Sequence, residues 1–315
     1  MLSFLKDGVQ PDAASPTPPH IPRTLWQTTK DRHAIRPELL ACVEKLKAMN
    51  PTWEHRLFDD ATQLEFLRAH CSERFMRAYA RIHPLYGAAR ADLFRYAAIF
   101  LKGGAYLDLK SGTTRPLDDI LRPEDRFIIS QWDNGPDGLF PGVGLNPNVA
   151  DVPGGEYEQW FVIAEPGHPY LAAVIERVLE NIENYRAYRF GHGGRGILNV
   201  MGPFAYTRAI RAVEEPGAHR NICAWHEGLR YTMFDGLHAH QAIDQAHYGR
   251  KMRPPVTAQG LTGTNWLGYW AAEIAQYPVS RVKELNNARL IRRRYRKKIP
   301  TDAPPGDRTG GDQTG

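Results

Sequence analysis

Along the chain, apolar positions change period in a regular way. Ile21–Gln27 (IPRTLWQ) is a short β-prone run opened by a proline, and its far end carries Trp26 and Gln27. Arg36–Met49 repeats at helical spacing and stops before the breaker Asn50-Pro51. Trp53–Phe58 (WEHRLF) alternates as a second strand, and Asp59-Asp60 is suited to cap a helix that begins near Ala61. A helix from about Pro84 to Leu101 is predicted to end at Gly103-Gly104 and give way to Ala105–Leu109 (AYLDL), which has the apolar content of a central strand. Phe127–Ser130 (FIIS) and Trp160–Ala164 (WFVIA) predict two more strands, the second closed by Glu165-Pro166-Gly167. From His168 towards Tyr188, Leu171, Val174, Ile175, Val178, Leu179 and Ile182 fall on one face of a long helix. Strands alternating with helices at this spacing predict an α/β sandwich, with no internal repeat.

Composition sets the outer limits. With 315 residues, 42% hydrophobic and 24% charged, the chain can bury one large core. Residues 1–20 are expected to form a disordered lead, 21–280 the folded domain, 281–298 a basic helical segment and 299–315 a disordered tail. The formal net charge of +5 suits anionic ligands such as nucleotides and is too small to argue for nucleic acid. Cys42, Cys71 and Cys223 are odd in number and lack metal-ligand spacing, so buried thiols in a reducing compartment are expected rather than disulfides. The apolar run in MLSFL is too short for a signal sequence, and nowhere do eighteen apolar residues follow one another. The expectation is therefore a cytoplasmic protein, soluble or peripheral at a membrane. Arg281–Lys298 bears on that choice, because Val282, Leu285, Leu290 and Ile291 give this basic run a partial apolar stripe. It fits an anionic membrane surface or a solvated terminal helix equally well.

The candidate chemistry sits in AARADLFRYAAIFLKGGAYLDLKSG. On a helix, Asp92 shares a face with Arg95 or Tyr96. An Asp–Arg pair at that spacing is commonly a surface ion pair of little energy. Here the flanking Ala, Leu, Phe and Ile residues make the helix largely buried, and a buried charge needs a partner or a ligand. Asp108 closes the strand that follows; it either caps the Lys110-Ser111-Gly112 turn or faces a ligand at the strand's carboxyl end. Elsewhere, Trp132-Asp133-Asn134-Gly135 reads as a turn or as an aromatic wall for an acceptor. Glu156 and Glu158 in GGEYEQW are spare carboxylates for acceptor or base work, with solvation the simpler expectation. His238 and His240 lack Cys or carboxylate partners at ligand spacing and read as a solvated loop. TTKDRHA, after the first strand, has no glycine for the phosphate loop of a nucleotidyltransferase.

Five segments in order, IPRTLWQTTK, NPTWEHRLFDD, ARADLFRYAAIFLKGGAYLDL, RPLDDIL and AEPGHPYL, followed by NVMGPFAYT, resemble family 32 of the glycosyltransferases. These are DxD-containing sugar transferases that include initiating α-1,6-mannosyltransferases and capsular polysaccharide enzymes. The resemblance spans about residues 21–210. It implies a GT-A type α/β fold, with a single Rossmann-like mixed sheet flanked by helices. It also implies transfer of a hexose from a nucleotide diphosphate sugar to a glycan or lipid-linked acceptor, with retention at the anomeric carbon. Carried over to this chain, it places Trp26 or Gln27 against the nucleobase or ribose, and Asp92 with Arg95 and Tyr96 at the donor sugar and diphosphate. It places Asp108 at the ribose and metal site, and leaves Trp132, Asp133 and Glu156 as acceptor candidates. One position departs from the pattern. Where the family has a second aspartate to ligate Mn²⁺ or Mg²⁺, this chain has Lys110. Three readings stay open: Lys110 does part of the cation's work, a cation is held by Asp108 with His247, or the domain is a catalytically inactive nucleotide-sugar or glycan-binding module.

Overall fold

The computed structural model describes residues 2–234, 253–275 and 278. β1 (Thr24–Thr28) leads through α1 (Pro37–Met49) to β2 (Glu54–Phe58), and then to three helices, α2 (Asp60–His70), α3 (Glu73–Arg81) and α4 (Gly87–Lys102). β3 (Gly104–Leu107), β4 (Gly112–Thr113), α5 (Leu117–Ile120), β5 (Ile128–Ser130) and β6 (Phe161–Ala164) follow. The described chain continues through α6 (Pro169–Glu183), α7 (Ala187–Phe190), α8 (Gly193–Val200), α9 (Pro203–Arg211), β7 (Arg220–Ile222) and β8 (Leu229–Arg230). The central sheet has the order β2-β1-β3-β6, parallel except for β6, which runs against β3. Two small ribbons, β4-β8 and β5-β7, flank it. The fold is thus α/β, with one mixed sheet between helices, as the alternation of strands and helices predicts.

Local chemistry sets several boundaries. Asp59 and Thr62 cap α2 reciprocally: the Thr62 N–H donates to the Asp59 carboxylate at 2.9 Å, and the Asp59 N–H donates to the Thr62 hydroxyl at 2.9 Å. Such a box satisfies two otherwise orphaned donors. α4 is buried along nearly its whole length and packs between the sheet and α6, so its apolar residues have no solvent face to divide. The sheet order carries the functional consequence. β1 pairs with β2 on one side and β3 on the other, so the winding reverses at β1 and a crevice opens beyond the carboxyl ends of β1 and β3.

One expectation is corrected here. Residues 2–20 are not a disordered lead: Phe4 is fully buried and meets the Phe100 ring edge-on at 5.2 Å, and Leu5 bridges to Cys71. The Asp12 N–H donates to the Leu101 carbonyl at 2.8 Å, and its carboxylate pairs with Lys102 at 2.7 Å. The apolar side chains of LSFL pack beside α4. Cys42 and Cys71 are buried free thiols, while Cys223 is half-buried. No described helix is long and apolar enough to cross a membrane. The basic segment 281–298 and the tail 299–315 lie outside the described residues.

Candidate functional site

At the crevice, α4 and the end of β3 bring four charges together. Arg95 Nη2 lies 2.7 Å from Asp92 Oδ1 and 3.1 Å from Asp108 Oδ1, and Lys110 Nζ lies 2.7 Å from Asp108 Oδ2. The side chains of Asp92 and Arg95 are only 5% and 4% exposed, whereas Asp108 is 25% exposed and is the group that meets solvent. Arg95 also donates to the Gln159 carbonyl and stacks 4.4 Å over the Tyr106 ring. Tyr106 stands two positions before Asp108, on the same face of the strand; its hydroxyl is 2.8 Å from that of Thr28 and donates to Asp108 at 3.4 Å. Gln27 donates its amide to the Asp108 carbonyl at 3.4 Å and faces His55 at 3.0 Å, closing the crevice floor.

Burial and pairing compete in this cluster. Burial pushes the Asp92 carboxyl up to about 6, against the pull of Arg95. At Asp108 burial also raises, but Lys110 and Arg95 together outweigh it and hold the carboxyl below its usual range. Burial draws the Lys110 ammonium below its ordinary value, with Asp108 opposing. Desolvated charges this close are tolerated because each has an opposite partner, and removing one partner is costly.

Beside the cluster is an aromatic pocket. The Lys110 ammonium sits 4.0 Å over the ring of Tyr231, which meets Trp132 edge-on at 5.4 Å and Trp160 at 5.9 Å. Phe140 and Trp225 complete the wall. Glu158 lies at its base and accepts from the Ser130 hydroxyl and from the Trp160 indole at 2.8 Å. Glu156 lies beside Trp132, whose indole N–H is directed at its carboxyl group. Glu156 is half-buried and Glu158 buried, so the expectation of solvation fails for both.

Burial pushes the Glu156 carboxyl up to about 7, so between its ordinary 4.5 and about 7 the folded protein holds a proton that the unfolded chain has released. Stability therefore falls as pH rises through that window. We expect Glu156→Gln to remove about 1–2 kcal/mol of this fall, after allowance for its partial exposure. Denaturant titrations at pH 5 and pH 7.5 measure it; an unchanged difference between the two pH values would contradict the assignment.

Asp92, Arg95, Asp108 and Lys110 thus come together, with Gln27 at the edge. Two expected donor contacts are corrected. Trp26 is fully buried, donates its indole N–H to the Gly103 carbonyl at 3.0 Å and stacks on Phe58 at 5.6 Å, leaving no face for a base. Tyr96 is equally buried, stacked on Tyr206 at 5.7 Å, with its hydroxyl 3.0 Å from the Met201 carbonyl. Asp133 ties a turn by accepting from the Leu139 N–H at 3.0 Å, while Trp132 lines the pocket. His238, His240 and His247 lie outside the described residues. Tyr106, Trp160 and Tyr231 were missed as site residues. The period of two before Asp108 could have marked Tyr106, but no local signal ties Tyr231 to Lys110.

A divalent cation does not fit the described residues around Asp108. Both of its oxygens are already met by cationic nitrogens, and the next position on the loop that could ligate is an ammonium. Among the described residues, no three His, Cys, Asp or Glu side chains converge as a metal-ligand set.

Residues 37–128 match the family model of the glycosyltransferase sugar-binding region containing the DXD motif. The initiation-specific alpha-1,6-mannosyltransferase of Schizosaccharomyces pombe is 26% identical over 200 residues, covering 60% of this chain and 48% of that protein. The enzyme of the same name from Candida albicans is 23% identical over 245 residues, 71% of this chain and 62% of that protein. Inositol phosphoceramide mannosyltransferase 2 of S. pombe is 24% identical over 179 residues, 57% of this chain and 44% of that protein. The chain therefore spans about half to three-fifths of the length of its first two relatives. The matched region contains α4, β3 and all four charges of the cluster. Over residues 37–128 the chain is therefore similar to the glycosyltransferase sugar-binding region that contains the DXD motif, with Asp108-Leu109-Lys110 as its DXD-like triplet and Lys110 at the second acidic position.

Proposed function

We propose that this chain transfers a hexose from a nucleotide diphosphate sugar to a glycan or lipid-linked acceptor, with retention at the anomeric carbon. One observation carries the reading: the compensated cluster of Asp92, Arg95, Asp108 and Lys110 lies where the sheet's winding reverses, and Lys110 joins it to an aromatic pocket across the ring of Tyr231. The pieces suit the chemistry. Asp108, the exposed member, accepts hydrogen bonds from donor hydroxyls, while Arg95 behind it fixes the carboxylate's direction. Trp225, exposed on the pocket wall, offers apolar surface to a sugar ring. In a retaining reaction the bond to the diphosphate breaks as the acceptor oxygen arrives on the same face, and the departing phosphate oxygen takes the acceptor's proton. Positive charge beside that oxygen lowers the barrier.

The test is a thermal-shift screen of UDP-, GDP-, dTDP- and CMP-sugars, mannose-bearing donors first because the relatives are named mannosyltransferases. Donor-hydrolysis and transfer assays follow on each donor that binds. Binding with hydrolysis is expected. Binding without turnover under any condition would favour the inactive binding module, which the Lys110 substitution motivates. A failure of all four nucleotide classes to bind would overturn the reading.

A further inference from the structure

We infer that Lys110 takes the place of a divalent cation, so that the donor's diphosphate is bound and its departure assisted by a side chain and not by a metal; this rests on the nucleotide-sugar reading above. The first support is charge balance. Asp92 and Asp108 carry two negative charges, Arg95 and Lys110 two positive, so the ionised cluster sums to zero. With aspartate at position 110 the same cluster would hold three carboxylates against one guanidinium, a deficit that one divalent ion removes. Exchanging that aspartate for lysine supplies the same two units of charge within the chain.

Geometry gives the second support. A carboxylate already paired with two cations is a poor ligand for a dication. Asp108 has its two oxygens held by Lys110 at 2.7 Å and Arg95 at 3.1 Å, and both partners are cations that repel an incoming dication. The third support is the placement of the ammonium. Lys110 is anchored by Asp108 on one side and the Tyr231 ring on the other, and its side chain keeps 14% of its surface exposed. An ammonium has three N–H groups, so after donating to Asp108 it retains donors for phosphate oxygens. Lysine supplies that charge as a point, without a coordination shell.

Calorimetric titration of UDP and GDP, in EDTA and in Mn²⁺, separates the possibilities without relying on turnover. For the wild-type chain we expect the affinity for the preferred nucleotide to agree within about twofold between the two conditions, and donor hydrolysis to persist in EDTA. Lys110→Asp is expected to lose at least about tenfold in affinity in EDTA, to recover it in Mn²⁺, and to bind Mn²⁺ itself, seen as loss of the free-ion electron paramagnetic resonance signal. Wild-type binding that disappears in EDTA and returns with Mn²⁺ would overturn the inference while leaving the nucleotide-sugar reading intact. If the wild type binds neither nucleotide in either condition, the same titration is run with dTDP and CMP, and failure of all four brings down the nucleotide-sugar reading. The EDTA comparison needs only the wild-type protein, so the test survives if the variant does not fold.

Discussion

Arg95→Met is expected to cost roughly 3–5 kcal/mol of folding stability, the penalty for removing one partner from a buried ion network. Methionine fills most of the space of the arginine stem, so the loss reports charge more than cavity. It leaves Asp92, 5% exposed, with no cation at contact distance, deprives Asp108 of one of its two, and frees the Gln159 carbonyl that Arg95 now satisfies. The deficit should shrink on acidification. Asp92 already titrates near 6 in the fold, against an ordinary value of 3.8, and loss of Arg95 raises it further. A carboxyl whose folded pKa is raised binds its proton more tightly in the native state, so stability recovers as pH falls from the folded value towards 3.8. Denaturant titrations at pH 7.5 and pH 5 should therefore show a larger loss at the higher pH. Asp92→Asn added to Arg95→Met should restore part of it, a coupling that distant sites would not show. If the single variant unfolds at the wild-type midpoint, the network is not the structural keystone described above.

Much of this network was legible in the sequence, because it rests on short-range rules. Helical spacing placed Asp92 and Arg95 together, the apolar run before Asp108 placed it at a strand end, and the double glycine fixed the order of the two elements. The limits of that reasoning are equally specific. Trp26 and Tyr96 have the right residue types and positions for ligand contact, but whether an aromatic faces a crevice or the core depends on elements far away in sequence, such as Phe58 and Tyr206. The burial of Glu158 depends on Ser130 and Trp160, which close over it from β5 and the edge of β6. At the N-terminus the sequence misled in the other direction: Pro, Ala and Ser suggested disorder, while the four residues LSFL supplied enough apolar surface to anchor the segment beside Phe100. A lysine in place of aspartate is visible in the sequence at once. That it closes a neutral cluster is visible only when its distances to Asp108 and Tyr231 are known.

Gly104→Ala is expected to be the most damaging single-methyl addition near the site. Gly104 has φ +103°, and a Cβ there would lie 2.4 Å from the Thr24 carbonyl oxygen and 3.0 Å from the Trp26 indole nitrogen. Neither obstacle is the free end of a flexible chain: one is β1 backbone and the other an indole in the core. Backbone strain alone contributes about 1–3 kcal/mol, and relieving the clash requires β3 to move away from β1, so a total of at least about 3 kcal/mol is expected. The displacement also has a direction. β3 pairs with β1 at Leu25↔Ala105 and Trp26↔Tyr106, and the same strand ends at Asp108, so a shift at its first residue carries Asp108 away from Lys110 and Arg95. Donor binding should fall with stability, even though Gly104 touches no ligand. Gly87→Ala provides the contrast. It begins α4 with no atom within 4 Å of an added Cβ and no positive φ, so alanine should be neutral or stabilise by about 0.4–1 kcal/mol. Melting both variants side by side, with nucleotide titrations on each, checks the argument: a Gly104→Ala chain as stable as Gly87→Ala would mean that the approach of β3 to β1 does not hold the charge cluster in register.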